Sequence, residues 1–219
     1  MKYILQLILA IGFSIANSGS FEDFFSAIKR DDAGAVTRLL SMGFDPNTPA
    51  PDGTDPLFIA LREPSLKVAD VLIAWPKTRV ESRNAVDESP LMMAALKGHL
   101  PQVQRLIARD ADVNKPGWTP LHYAATGGQI AVMRELLSAH AYIDAESPNR
   151  TTPLMMAARY GSVDAVRVLL ESGADPTLRN DQGLTAIDFA FRASRQDVAS
   201  LVAAAARAWV KPAASGNRW

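Results

Sequence analysis

The chain has 219 residues, 48% of them apolar, which is enough for a sizeable continuous core and excludes a disordered chain as the main reading. Its 23 Lys and Arg balance 23 Asp and Glu, so no overall charge pulls it toward nucleic acid or anionic membrane, and any electrostatic steering has to come from a local patch. There is no cysteine, which excludes disulfides, thiolate nucleophiles and Cys-ligated zinc or iron–sulfur sites.

The first element is a targeting segment. Met1 and Lys2 form a positive start, Tyr3 to Phe13 is a nearly unbroken apolar run, and Ser14-Ile15-Ala16 sets small residues three before and one before a cut. That order is a secretory signal peptide over residues 1–16, with cleavage expected after Ala16. The run is well short of the roughly 20 residues a membrane-crossing helix needs, and no later segment comes close. The expectation is therefore export to the periplasm, or secretion beyond the cell, with no stable membrane insertion after cleavage. An exported chain without cysteine has to be stable through packing, which a repeat array supplies. Asn149-Arg150-Thr151 fits a glycosylation acceptor, a pattern short enough to arise by chance.

From there the chain repeats. TDPLFIAL from Thr54, ESPLMMAAL from Glu88, WTPLHYAAT from Trp118, TTPLMMAAR from Thr151 and LTAIDFAFR from Leu184 are copies of one unit. Their markers, Pro56, Pro90, Pro120, Pro153 and Ala186, are 34, 30, 33 and 33 residues apart. Aliphatic pairs follow the first four markers at a fixed distance (Leu72-Ile73, Leu106-Ile107, Leu136-Leu137, Leu169-Leu170). Leu39-Leu40 extends that series back to a degenerate first copy with Asp23 as its marker. Thr or Ser before Pro predicts a capped helix start, because the hydroxyl accepts from free backbone N–H groups and Pro at the first helical position gives up no useful donor. Gly98, Gly128 or Gly161 then ends a short helix. A second helix follows, such as Gln129 to Ser138 with Ile130, Met133, Leu136 and Leu137 on one face. Turn-forming loops such as Gly173 to Gly183 lead to the next start.

This period and these strings resemble the ankyrin repeat, and TPLHYAA at Thr119 to Ala125 fits its TPLHxA string in full. The resemblance covers about residues 21–210. It implies an all-α solenoid of about six stacked helix pairs with short β-hairpin fingers, the fingers and first helices lining a concave surface. The repeat domain is expected over 17–210, with units near 21–54, 55–88, 89–118, 119–151, 152–184 and 185–210, and a loose tail over 211–219. The first and last units depart from the pattern, as capping units do, with Asp23-Phe24-Phe25 in one and Ala199 and Ala203 in the other. Pro64 and Pro76 stand at positions usually held by Gly, and Ala85-Val86-Asp87-Glu88 replaces an Asp-Gly turn, so that junction should be irregular. The finger from Asn114 to Thr119 is three residues shorter than its sisters, so its Lys115-Pro-Gly-Trp118 tip should be stunted.

The sequence offers little for catalysis. The resemblance gives His122 a bracing role in the TPLH turn; His99 follows Gly98 where the family often has His, and His140 fills a helix end where Gly43 and Gly173 sit in sister units. No HExxH, Walker, GxSxG or EF-hand pattern is present. Asp45, Asp112 and Asp175 recur at one loop position a repeat apart, which suits loop capping and not a shared metal. Met92-Met93 and Met155-Met156 could suggest a thioether surface, but the second of each pair is expected to pack in the core, as Ile59, Tyr123 and Phe189 are large there too. The prediction is no enzyme, no cofactor and no metal site.

The resemblance points to the two residues after the second Ala of each first helix as groove-facing. These read Lys29-Arg30, Arg62-Glu63, Leu96-Lys97, Thr126-Gly127, Arg159-Tyr160 and Arg192-Ala193; six of the twelve are basic and one acidic. Either this is a recognition ladder or it is the solvated end that these helices carry anyway. Trp118 and Tyr160 would add aromatic anchors. The expected function is a monomeric, non-enzymatic protein-binding module whose groove of Lys29, Arg30, Arg62, Lys97, Trp118, Arg159, Tyr160 and Arg192 meets a protein with an acidic surface. The alternatives are a secreted effector or inhibitor and, less favoured, a metal-binding or enzymatic protein. Nucleic acid is not an expected partner, since no dense Lys/Arg stripe with stacking aromatics is present.

Overall fold

The structure, a computed structural model, describes residues 19–210. The signal peptide expected over 1–16 and the tail expected over 211–219 lie outside the described residues. Among the described residues there are twelve helices and no strand. They fall into two compact units, one ending at Pro90 and the other beginning at Leu91.

The first unit holds two helix pairs: α1 (19–29) with α2 (Ala33–Ser41), and α3 (Pro56–Arg62) with α4 (Leu66–Ala74). Helix α4 packs on both α2 and α3, burying Phe24, Ile28, Val36, Leu57, Leu61 and Leu72 completely or nearly so. The turn between α1 and α2 also serves the next pair, since Asp31 Oδ1 accepts the Val68 N–H at 2.9 Å, an otherwise unpaired donor in the first turn of α4. Asp23 does not open its helix as the other markers do: among the described residues, those from 19 onward are already helical.

The second unit holds four pairs, α5 (Pro90–Lys97) with α6 (Leu100–Ile107), α7 (Pro120–Gly127) with α8 (Ile130–Ser138), α9 (Pro153–Tyr160) with α10 (Val163–Glu171), and α11 (Ala186–Arg192) with α12 (Gln196–Ala208). The first helices α7, α9 and α11 pack in series, and the second helices α6, α8, α10 and α12 form a layer behind them. The first-helix layer is close-packed at its C-terminal ends. A Cβ at Gly127 would collide with the Leu96 carbonyl, and one at Gly161 with the Ala125 carbonyl.

Helix ends follow a repeated rule. Gly43, Asp110, His140 and Gly173 all take positive φ just past a second helix, and the next residue donates back into the last turn, as in Ala141 N to Leu136 O and Ala174 N to Leu169 O. Pro76, which has no N–H, breaks this rule: α4 ends at Ala74, and Trp75 leaves in extended backbone. Pro64 sits at the left-handed inter-helix position of Gly98 and Gly128, at φ 24°. The junction from Pro64 to Asp87 is therefore irregular at both prolines, though its finger is not. Asp87 takes φ 64° and closes the turn to Asn84 at 3.0 Å, doing what Gly53 and Gly183 do in theirs.

The fingers are shorter than the expected β-hairpins. Each full finger closes with one i to i+4 bond and one turn bond, such as Ser147 N to Thr151 O and Arg150 N to Ser147 O, which is too little ladder to make a strand. In the short finger, the buried Lys115 ammonium gathers the tip by donating to the Pro116 and Trp118 carbonyls at 3.1 and 3.2 Å. The expected loop capping is present, with Asp45, Asp112 and Asp175 each accepting the N–H two residues on.

The second methionine pair corrects one expectation. Met93 is buried, as is Met92, but in the other pair Met155 is the buried member and Met156 is half-buried. The reason lies in the start of α9, where Met155 turns back so that its sulfur accepts the Thr152 N–H and Met156 is left on the open face.

Candidate functional site

The second unit brings four of the anticipated groove residues to one place. Trp118, in the short finger, Arg159 and Tyr160, at the end of α9, and Arg192, at the end of α11, line a shallow recess of about 230 Å³. Asn149, Asn180 and Gln182 from the two following fingers complete its polar wall. The recess holds two arginines and no carboxylate. The Arg159 guanidinium lies 5.1 Å from the centroid of the Tyr160 ring, a cation–π contact that holds both side chains over the opening. Asp188, near Arg192 on the same helix, is held in the cap of α11: its Oδ2 accepts from the Thr185 N–H and hydroxyl, both at 2.7 Å, and these bonds, with smaller contributions from the Arg179 and Arg192 charges, keep it below the usual carboxylate range.

Trp118 and Met156 also wall a second, almost wholly apolar dimple of about 210 Å³, completed by Leu96, His122, Tyr123 and Thr126. His122 forms its floor and not a reacting group. Its Nδ1 accepts from the Thr119 N–H at 3.2 Å, which fixes the proton on Nε2, and Nε2 donates to the Thr151 carbonyl at 2.9 Å. Full burial pushes the imidazole down to about 4, with the Lys115 charge acting in the same direction, so the ring is neutral at pH 7. The Trp118 ring stands edge-on to it, centroids 5.2 Å apart. Its Nδ1 partners are in the Thr119 cap, while the Thr151 and Ala145 backbone groups that it meets are in the next finger, so the ring braces one repeat against another.

The first unit is different. Lys29 and Arg62 line an open cleft of about 790 Å³ together with Glu22, Asp52 and Glu63. Arg62 Nε pairs with Glu63 at 3.0 Å, and Arg30 lies outside the cleft lining with Nη1 donating to Ser26 Oγ at 2.9 Å. This cleft carries three carboxylates against two bases, where the recess of the second unit is basic. Lys97 is exposed at the last turn of α5 and lines neither recess. The expected ladder is thus uneven: Arg62 is paired with Glu63, whereas Arg159 and Arg192 form no ion pair among the described residues and share a recess without a carboxylate in its lining. Met156 and the finger amides were not anticipated. For the amides the signal was present, because Asn180 and its sister finger residues stand at one position of the repeat, where a side-chain oxygen closes the turn.

Comparison with known proteins decides the family. Ankyrin-repeat models of three copies match residues 24–116 and 76–148, and one of many copies matches 140–190. The chain is an ankyrin-repeat protein. It is 27% identical over 175 residues to Transient receptor potential cation channel subfamily A member 1 of Homo sapiens, covering 75% of this chain and 16% of that one. It is 37% identical over 119 residues to Ankyrin repeat and SAM domain-containing protein 6 of Rattus norvegicus (52% and 13%). With Nuclear factor NF-kappa-B p105 subunit of Mus musculus it shares 28% identity over 152 residues (66% and 16%). This ankyrin-repeat protein spans less than a fifth of the length of each. Such repeats are protein-interaction modules. Among its described residues no cluster of three His, Cys, Asp or Glu is placed to hold a metal, and no helix is long and apolar enough to cross a membrane.

Proposed function

We propose that this ankyrin-repeat protein is a non-enzymatic, monomeric binding module of the periplasm that holds a protein partner through the finger and first-helix face of its second unit. The observation that carries the reading is the meeting of Trp118, Arg159, Tyr160 and Arg192 around one recess with no carboxylate in its lining. Desolvated aromatics and arginines are the residue types that dominate interface energies, and two arginines without a facing acid favour an acidic partner surface. The apolar start of the chain, closed by Ser14-Ile15-Ala16, supports export.

The test is capture from the native envelope with full-length tagged protein, run beside a Trp118→Ala/Arg159→Gln/Arg192→Gln variant. A protein retained by the wild type and lost by the folded variant is the expected result; retention by both would move the site elsewhere. Intact mass of the protein from its host should show residues 1–16 removed, and a soluble cytoplasmic protein still carrying them would refute export.

A further inference from the structure

We infer that the two recesses sharing Trp118 and Met156 form a two-part reader for one extended peptide segment, which places a large apolar side chain in the dimple and an Asp or Glu side chain on Arg159 and Arg192. This rests on the binding reading above and adds what the partner must look like. The dimple is bounded by Leu96, Tyr123, Thr126 and Met156 and floored by a neutral imidazole whose two nitrogens are both engaged. It therefore offers a ligand side chain no strong polar partner, and its volume of about 210 Å³ takes one Leu, Met or Phe. A charged side chain entering it would lose its hydration without compensation.

The adjoining recess has the opposite chemistry. Arg159 and Arg192 form no ion pair among the described residues, so a peptide carboxylate does not have to displace one. Asn149 and Asn180 turn their oxygens inward, one accepting from Ser147 Oγ and the other from the Gln182 and Leu184 N–H groups. Their amide NH2 groups are thus the ends left for the carbonyls of an extended peptide. Trp118 and Met156 line both recesses, so the two side chains come from neighbouring positions of one segment and not from distant parts of a partner. The cleft of the first unit, with three carboxylates against two bases and Arg62 paired with Glu63, lacks this meeting of an apolar socket with arginines that form no ion pair.

The probe is a positional-scanning library of end-blocked octapeptides, screened against the full chain and two folded variants. Thr126→Phe fills the dimple from its edge, and Arg159→Gln/Arg192→Gln removes the charge. Both changes fall on residues that are at least partly exposed, which spares the core. Wild type should select Leu, Met or Phe within a few positions of Asp or Glu, with binding at least about tenfold weaker when either is replaced by Ala or Gln. Thr126→Phe should abolish the apolar preference and keep the acidic one, and the arginine variant should do the reverse. Selection of acidic residues alone, of apolar residues alone, or of no peptide would each overturn the two-part reader. Envelope capture through Arg159 and Arg192 would in those cases still decide the binding reading separately.

Discussion

His122 is a buried and Asp144 a half-buried titratable group, and burial moves them in opposite directions. The unfolded His122 takes up its proton near pH 6.5, whereas the folded ring resists until about 4, so acidification through that window favours the unfolded chain. Asp144 is raised to about 6, chiefly by burial and further by the Asp175 charge, against the pull of the Asp175 N–H it accepts at 3.1 Å. Between its ordinary 3.8 and 6 the folded carboxyl holds a proton that the unfolded one has released, so stability rises as pH falls through that interval. The two effects oppose each other between about pH 4 and 6.

Two mutations separate them. His122→Ala should lower stability by about 1–3 kcal/mol at pH 7, since it strips the Thr119 cap and Thr151 carbonyl of a buried partner, and should flatten the acid limb of a denaturation series. Asp144 stands where Asn47 and Asn114 do, and each of those grips the next repeat twice: Asn114 donates to the His140 carbonyl and accepts the Tyr142 N–H, both at 2.8 Å. An ionised carboxylate can only accept. Asp144→Asn should therefore stabilise by about 1–2 kcal/mol at pH 8, have little effect near pH 4, and leave an acid limb that falls more steeply. Urea titrations at three pH values check both variants. His122 could be assigned from the sequence because TPLH is a dense motif. Asp144 could not, because Asp and Asn are interchangeable in a loop until burial and the acceptor geometry are known.

Among the helices and fingers, strain is concentrated where a repeat position demands left-handed backbone and the sequence supplies something other than glycine. Pro64 is the sharpest case: its ring favours φ near about −65°, and it lacks the N–H that Gly98 and Gly128 donate to Ala95 and Ala125. Pro64→Gly should stabilise by about 1–2 kcal/mol despite the entropy glycine adds to the unfolded chain, and a higher midpoint with unchanged m-value in denaturant is the check. The two prolines were legible in the sequence as breaks, because their geometry follows from the ring. The closure of the Asn84–Glu88 finger was not, because Asp87 reaches positive φ without the glycine that signals it. Nor could the sequence say that Met155 and not Met156 faces in, since that depends on a sulfur bond at the start of α9.

Across the whole molecule, the repeat period made the number and order of helix pairs readable, because each unit repeats the same cap, helix, turn and helix. What the period could not give was the electrostatic inequality of the units. Arg62 and Arg159 hold equivalent positions, yet one is paired with Glu63 and the other lies over Tyr160. Stability should be uneven too, and hydrogen exchange should reach residues 64–87 before 119–185, because the first stretch holds both misfit prolines and a non-glycine turn. Equal protection in the two stretches would contradict that. The most direct test of binding through Arg159 and Arg192 is the association rate of the captured partner at low and physiological salt. An Arg159→Glu/Arg192→Glu variant is compared with Arg105→Glu/Arg134→Glu, which makes the same charge change on the second helices α6 and α8. The first pair should slow association by about tenfold or more at low salt and remove most of its salt dependence, while the second should change it less than about twofold. Equal slowing by both pairs, with both variants folded, would contradict a specific site at the Trp118 recess.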